Sequence, residues 1–548
     1  MISRAWLPGV LLAQLLALGA CSSGDRTPVG TLSTEKIAAR VAGQHFYRHL
    51  SAAVRTLDPL MNQDVPGTTL AQDLFEGLLR TDGAGNVVAG IAERWESSTD
   101  GLTWTFHLRQ GTLWSNGDKV TARDFVYAWR RVVDPAVASP MAQQLAPIVG
   151  ATQIMAGKAV PQTLAVAALD EYTLQVHLEA PVAYFEYMLT TSFMMPAHEA
   201  TIVREGRGWT RPGVMVCNGP FLLKSLSLNG PIELVKNPRY WDAAAVRLTG
   251  VTYYALPDSS AATSRFLAGD IDVTDRFQME DFDWLRVSLG DQVRIAPYFG
   301  TVMLGMHTGR PPFDNEPLRH AMVLAIDREM ITQHLMKGQY QAAYSIVPPL
   351  PGYPAFRPPW ADLKDADRIA LARKLYAEAG YSQQHPLDVE FNFPSGNPEM
   401  NMVFEAMAAM WRLHLGANVR LAGEDWKVHI QNRDIGKPRM YWYAWIADYP
   451  DPQTFLALPM ENSGQNYGRY HNVQFNEQMT AAMATANRDE RNAHYNAAEQ
   501  ILDGSAVAIP IYYYRTRHLL RNFVRGWTDN PMDNHLSRDI YLEMPGKP

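Results

Sequence analysis

Two side-chain rhythms alternate along this chain, and together they restrict it to a fold in which strands and helices share their cores. In GLTWTFHLR (101–109), Leu102, Trp104, Phe106 and Leu108 take one side while Thr103, Thr105, His107 and Arg109 take the other. That is the period of two of a strand with one buried face. YTLQVHLE (172–179) repeats it, and GVTYYAL (250–256) and AIPIYYY (508–514) carry the branched and aromatic residues that strands favour. Elsewhere the spacing is helical. DADRIALARKLYAEAG (365–380) sets Ile369, Ala372, Leu375, Tyr376 and Ala379 on one face and stops at Gly380. NPEMNMVFEAMAAMWRLHLG (397–416) opens on Asn397 and Pro398 and stops at Gly416, and its stripe of Met400, Phe404, Met407 and Trp411 predicts core packing. The class is α/β.

A chain of 548 residues exceeds what one core serves, and 47% hydrophobic residues are enough to fill roughly two to four domains. No short repeat or long linker marks their boundaries. The 49 basic and 56 acidic residues are interspersed and leave a net charge of −7. Nothing here is the basic footprint of a nucleic-acid binder.

The first residues, MISRAWLPGVLLAQLLALGACSSGD, run from Arg4 through an apolar stretch to small residues before Cys21, the pattern of an export signal over 1–20. Leu18-Gly19-Ala20-Cys21 resembles the bacterial lipobox, which implies acylation of Cys21. Residues 22–40 are small, polar and unpatterned, as a tether from 21 to 40 should be. No later stretch reaches the about 20 uncharged apolar residues of a membrane span, so a soluble body anchored by lipid is expected. Cys217 then has no disulfide partner and is expected to be a small buried residue.

Enzyme motifs fail on inspection. His198-Glu199 begins like a zinc-protease helix, but Ile202 stands where the second His belongs, and GATQIMAGKA (150–159) ends on Ala159 where a phosphate loop needs Ser or Thr. There is no CxxC, GxSxG or GxGxxG, and the 15 His are scattered singly. No catalytic residue, metal ligand set or cofactor is expected. What remains is an excess of aromatics beside turn residues, as in WYAWIADYPDPQTF (442–455), and pockets are lined by aromatics with a few placed polar groups. Asp448 ends that aromatic run. A buried carboxylate is costly unless paired, so Asp448 either serves the turn announced by Pro450 and Pro452 or awaits a cation from outside.

DPLMNQDVPGTTLAQDLFEGLL (58–79), IAERWESSTDGLTWTFHLRQGTLWSNGDKVTARDFVYAWRR (91–131), CNGPF (217–221), NPRYWD (237–242), PPFDNEPLRHAMVLAIDRE (311–329) and WIADYPDP (445–452) resemble, in this order, the extracellular solute-binding proteins of family 5, and within it the oligopeptide-binding branch. The resemblance spans about residues 45 to 545. It implies a two-lobed periplasmic-binding-protein fold (type II, cluster C) with an extra small domain inserted in the first lobe. The lobes would be 41–75 with 200–299 and 516–548, and 300–515, with 76–199 as the insert.

The same resemblance implies a monomeric, non-catalytic receptor for short peptides that serves the permease of an ABC importer on the periplasmic side of a bacterial envelope. Asp448 would pair with the peptide α-ammonium, Trp445 and Trp426 would wall side-chain pockets, and backbone near Ala444, Val65 and Gln63 would grip the peptide main chain. A Cys pair of enterobacterial relatives is replaced by Gly300 and Ile446, and groups that receive the peptide C-terminus there appear as Glu399 and Trp442. Ser22 lacks the Asp that usually retains lipoproteins at the inner membrane. Alternatives are another family ligand (dipeptide, murein peptide, opine, nickel chelate or haem) and an envelope chaperone or enzyme that has lost transport.

Overall fold

The computed structural model describes residues 32–227, 230–485 and 487–546. The proposed signal peptide and Cys21 lie outside them. Among the described residues no helix is long and apolar enough to cross a membrane.

The two rhythms of the sequence become elements where expected. GLTWTFHLR supplies strand Thr103–Leu108 and YTLQVHLE supplies Thr173–His177, antiparallel neighbours in a four-stranded sheet with Ala92–Ser97 and Val166–Ala168. A second four-stranded sheet orders His45–Leu50, Gly250–Ala255, Ile232–Lys236 and Phe221–Leu226. Both sheets drain into one continuous core that includes Phe46, Leu234 and Tyr253 beside Phe106, Trp129 and Val176. The segment 76–199 thus forms a sheet of its own but shares its apolar interior with the first lobe.

A six-stranded sheet builds the second lobe, in the order Gln341–Ala342, Ala508–Leu519, Val293–Met306, Met440–Ile446, Asp388–Pro394 and Asn418–Glu424. Helix Asp365–Glu378 ends beside Gly380 at φ 89, and helix Pro398–Leu415 is capped by Asn397 and closed by Gly416 at φ 75. Phe404, Met407 and Trp411 are buried as the stripe predicts, and the Trp411 indole N–H donates to Met322 O at 2.9 Å.

Two long strands carry the chain between the lobes. Val293–Met306 and Ala508–Leu519 run antiparallel from Val293↔Leu519 to Gly305↔Ala508. At one end Val293, Ile295 and Leu519 pack with Phe266 and Leu285 of the first lobe; at the other Leu304, Met306 and Ile509 sit in the second core. A crossing made of paired strands needs no linker, which is why none was legible.

One expectation is corrected. The stretch 22–40 does not remain a tether throughout, because helix Thr34–Gly43 begins inside it, with Ser33 accepting from Lys36 N. Ile37 and Val41, four apart, rest on the first core, and Arg40 donates to Gly269 O at 2.8 Å. Two apolar residues in a polar run are too few to announce a helix that tertiary contacts hold.

Cys217 is buried and free, and burial pushes its thiol up to about 12, so it is an inert core residue.

Candidate functional site

Strand Met440–Ile446 positions the site. Its run of Tyr and Trp suits a central strand, and it pairs along its whole length with Gly300–Met306. On its other edge it meets Asp388–Pro394 only at Phe391↔Met440 and Asn392↔Tyr441. His429 Nε2 donates to Trp442 O at 3.3 Å. Beyond that point, among the described residues, the edge from Tyr443 to Ile446 has no strand neighbour. Ala444 lies in this open stretch, whose backbone is free to accept an extended chain.

Asp448 stands just past the strand end. Trp445 donates its indole N–H to Thr454 Oγ1 at 3.0 Å, and Asp448 N approaches the same hydroxyl at 3.5 Å. The surrounding walls leave Asp448 open to solvent but crowd its carboxyl group. Desolvation raises its pKa above the usual carboxylate value and is the single cause of the shift. Among the described residues no cation or hydrogen-bond donor reaches this carboxylate. The turn is served instead by Asp451, whose Oδ1 accepts from Gln453 N at 2.9 Å and whose Oδ2 lies 3.7 Å from Arg491. Of the two acids beside Pro450 and Pro452, the fold uses one and leaves the other unpaired.

The remaining expected residues divide between two groups. Trp426 starts helix Trp426–Asp434, is about half exposed, and meets Trp442 edge-on with ring centroids 5.9 Å apart. Glu399, in the first turn of helix Pro398–Leu415, pairs with Arg517 at 3.6 Å, and the Arg517 guanidinium lies over the Tyr340 ring. Glu399 Oε1 and the Trp442 indole N–H are buried without a hydrogen-bond partner within the protein. Across on the first lobe, Gln63 and Val65 are exposed around Asp64, which caps helix Val65–Leu74. Gly300 and Ile446 are cross-strand partners, and a Cβ on Gly300 would stand 3.1 Å from Ile446 Cγ1. They occupy neighbouring positions of the sheet and form no disulfide.

Three residues of this region have no signal in the sequence. Tyr184, from the inserted segment, stacks on Tyr449 beside Asp448, and both rings feel its charge. Arg517, on strand Ala508–Leu519, and Tyr340, just before strand Gln341–Ala342, meet Glu399 from remote parts of the chain.

Comparison with known proteins agrees with this architecture. The chain is 34% identical over 544 residues to the periplasmic oligopeptide-binding protein OppA of Escherichia coli K12, covering 98% of each. It is 35% identical over 492 residues to the probable deoxycholate-binding periplasmic protein YgiS of the same organism, covering 89% of this chain and 91% of that one. It superposes on the unliganded open form of the murein tripeptide-binding protein MppA with a TM-score of 0.83 and 34% identity, over 91% of this chain and 97% of that one. Residues 86–467 match the profile described as bacterial extracellular solute-binding proteins, family 5 Middle. The two lobes, the paired crossing strands and these similarities agree, and the chain belongs to the bacterial extracellular solute-binding proteins of family 5.

Proposed function

We propose that the protein captures short peptides between its lobes on the periplasmic side of the envelope, held there by a lipid on Cys21, and passes them to the permease of an ABC importer without catalysing a reaction. The observation that carries this reading is the Asp448 carboxylate, unpaired at the end of an open strand edge. An α-ammonium stays largely charged below its pKa of about 8. Two opposite charges ~4 Å apart attract by about 4 kcal/mol at an effective dielectric near 20, less the cost of desolvating both. The free edge around Ala444 would take the peptide main chain whatever its side chains. Val65 and Gln63 would complete the grip from the first lobe as the cleft closes by hinge bending.

At the other end, Glu399 and Arg517 neutralise each other. This favours binding governed by the peptide amine rather than by its carboxylate. An anionic ligand such as the deoxycholate of one relative's name would set a second negative charge in a cleft that already holds Asp448. Native mass spectrometry of the protein purified without refolding tests the reading: a set of co-purified short peptides supports it, and a single non-peptide ligand overturns it.

A further inference from the structure

The histidines stand singly in the sequence, yet the fold brings two of them onto one carboxylate. His518 lies near the end of strand Ala508–Leu519, and Asp533 and His535 lie on the segment that runs back past it. One donor atom from each of the three falls within 4.8 Å of the others. His518 Nε2 is 2.8 Å and His535 Nε2 is 2.9 Å from the same oxygen, Asp533 Oδ1. Both imidazoles are buried, while Asp533 keeps partial access to solvent and so offers an ion a way in.

Each side chain is also held in place. His518 Nδ1 donates to Thr274 O at 2.9 Å, which fixes the ring with Nε2 towards the carboxylate, as outer partners orient metal-binding imidazoles. His535 stacks on Trp527 with ring centroids 3.6 Å apart. Asp533 sits at φ 53, a left-handed conformation that side chains seldom adopt and that concentrates at functional positions. Asp275 also faces His518, and Arg48 faces His535.

We propose that His518, Asp533 and His535 form a binding site for one divalent transition-metal ion of the zinc class. Two imidazoles and a carboxylate suit Zn²⁺ or Co²⁺, with water in the fourth position. Bonds of about 2.0–2.1 Å in a tetrahedral set separate neighbouring donors by about 3.3 Å, so each nitrogen–oxygen contact opens by roughly 0.5 Å while the two imidazole nitrogens, within 4.8 Å of each other, close to the same separation. For both lone pairs to take the metal, the proton on His518 Nε2 leaves to solvent, its Nδ1–H staying on Thr274 O, and the proton on His535 Nε2 leaves or moves to that ring's Nδ1. The same segment touches the other crossing strand, since Phe299 N donates to Pro531 O at 2.6 Å and Arg294 pairs with Asp529 at 2.5 Å. A bound ion would therefore fasten the C-terminal segment to both crossing strands.

Untagged protein stripped with a chelator is titrated with Co²⁺ and read by visible absorption, with Zn²⁺ stoichiometry read by native mass spectrometry. One ion per chain with the visible bands of tetrahedral Co²⁺ is expected. Asp533→Asn and His535→Gln each remove a ligand and should weaken binding by more than the about tenfold to hundredfold that losing an outer partner costs, with an unchanged circular dichroism spectrum. Absence of a one-to-one complex on the wild-type protein overturns the site whether or not the variants fold. Unchanged affinity in both folded variants overturns it equally.

Discussion

The ring of Tyr184 lies 3.9 Å from that of Tyr449 and within 4° of parallel, so the inserted segment of the first lobe touches the second lobe at the residue next to Asp448. Aromatic pairs of this kind contribute about 0.5–1.5 kcal/mol beyond their buried area. The contact joins the two lobes and bears on how readily they separate. Tyr184→Ala should raise the radius of gyration of the ligand-free protein in X-ray scattering and weaken peptide binding by roughly two- to tenfold. An unchanged scattering profile would remove any role for the stack in lobe closure.

Asp448 as the ammonium partner predicts a coupling, not only a loss. Acetylating a tripeptide's N-terminus, or changing Asp448→Asn, should each cost about a hundredfold or more in affinity, because either change leaves one charge of a desolvated pair alone. Applied together, the two changes should cost little more than either. Calorimetric titration of the four combinations decides. Losses that add within about 0.5 kcal/mol would make Asp448 a bystander.

The same carboxylate predicts a stability effect of opposite sign. Its pKa is raised in the folded protein by desolvation, so its contribution is favourable only at low pH and is lost as pH rises through the raised value. At pH 7 the ionised group opposes folding. Asp448→Asn should therefore raise the melting temperature of the ligand-free protein while impairing binding. A lower melting temperature would mean that the carboxylate supports the turn.

Glu499 offers a pH test away from the cleft. It is buried, accepts from the hydroxyls of Ser345 and Tyr353, and burial lifts its pKa to about 7 against an ordinary 4.5. Between these values the folded state holds a proton that the unfolded state releases, so stability falls with pH by up to about 1.4 kcal/mol per unit and levels off above 7. Denaturation midpoints from pH 5 to 8 should decline in the wild type more steeply than in Glu499→Gln. Parallel curves would show that the proton is not held.

The anchor is tested by fractionation. Cys21→Ala should move the protein from the membrane to the soluble envelope fraction without altering its circular dichroism spectrum or its response to peptides, and persistent membrane association would contradict acylation at Cys21.

Local pattern was enough to find strand Thr103–Leu108, helix Pro398–Leu415 with its Asn397 and Gly416 ends, and the core role of Trp411. Each depends on neighbours two to four residues away, a separation at which backbone geometry alone dictates which side chains share a face. The ordered segments from 58 to 452 carried the family, and with it the two lobes and the nomination of Asp448 and Ala444. Sequence left open whether Asp448 serves the turn of Pro450 and Pro452 or awaits a cation from outside; only the tertiary structure hands Arg491 and Gln453 N to Asp451 and leaves Asp448 bare. It also decided that Tyr184 meets Tyr449, that Glu399 is neutralised by Arg517, and that His518 and His535 share Asp533. Those meetings join residues remote in the chain. They are set by strand register and by the crossing of two strands between the lobes, where a shift of one residue would turn every side chain to the opposite face.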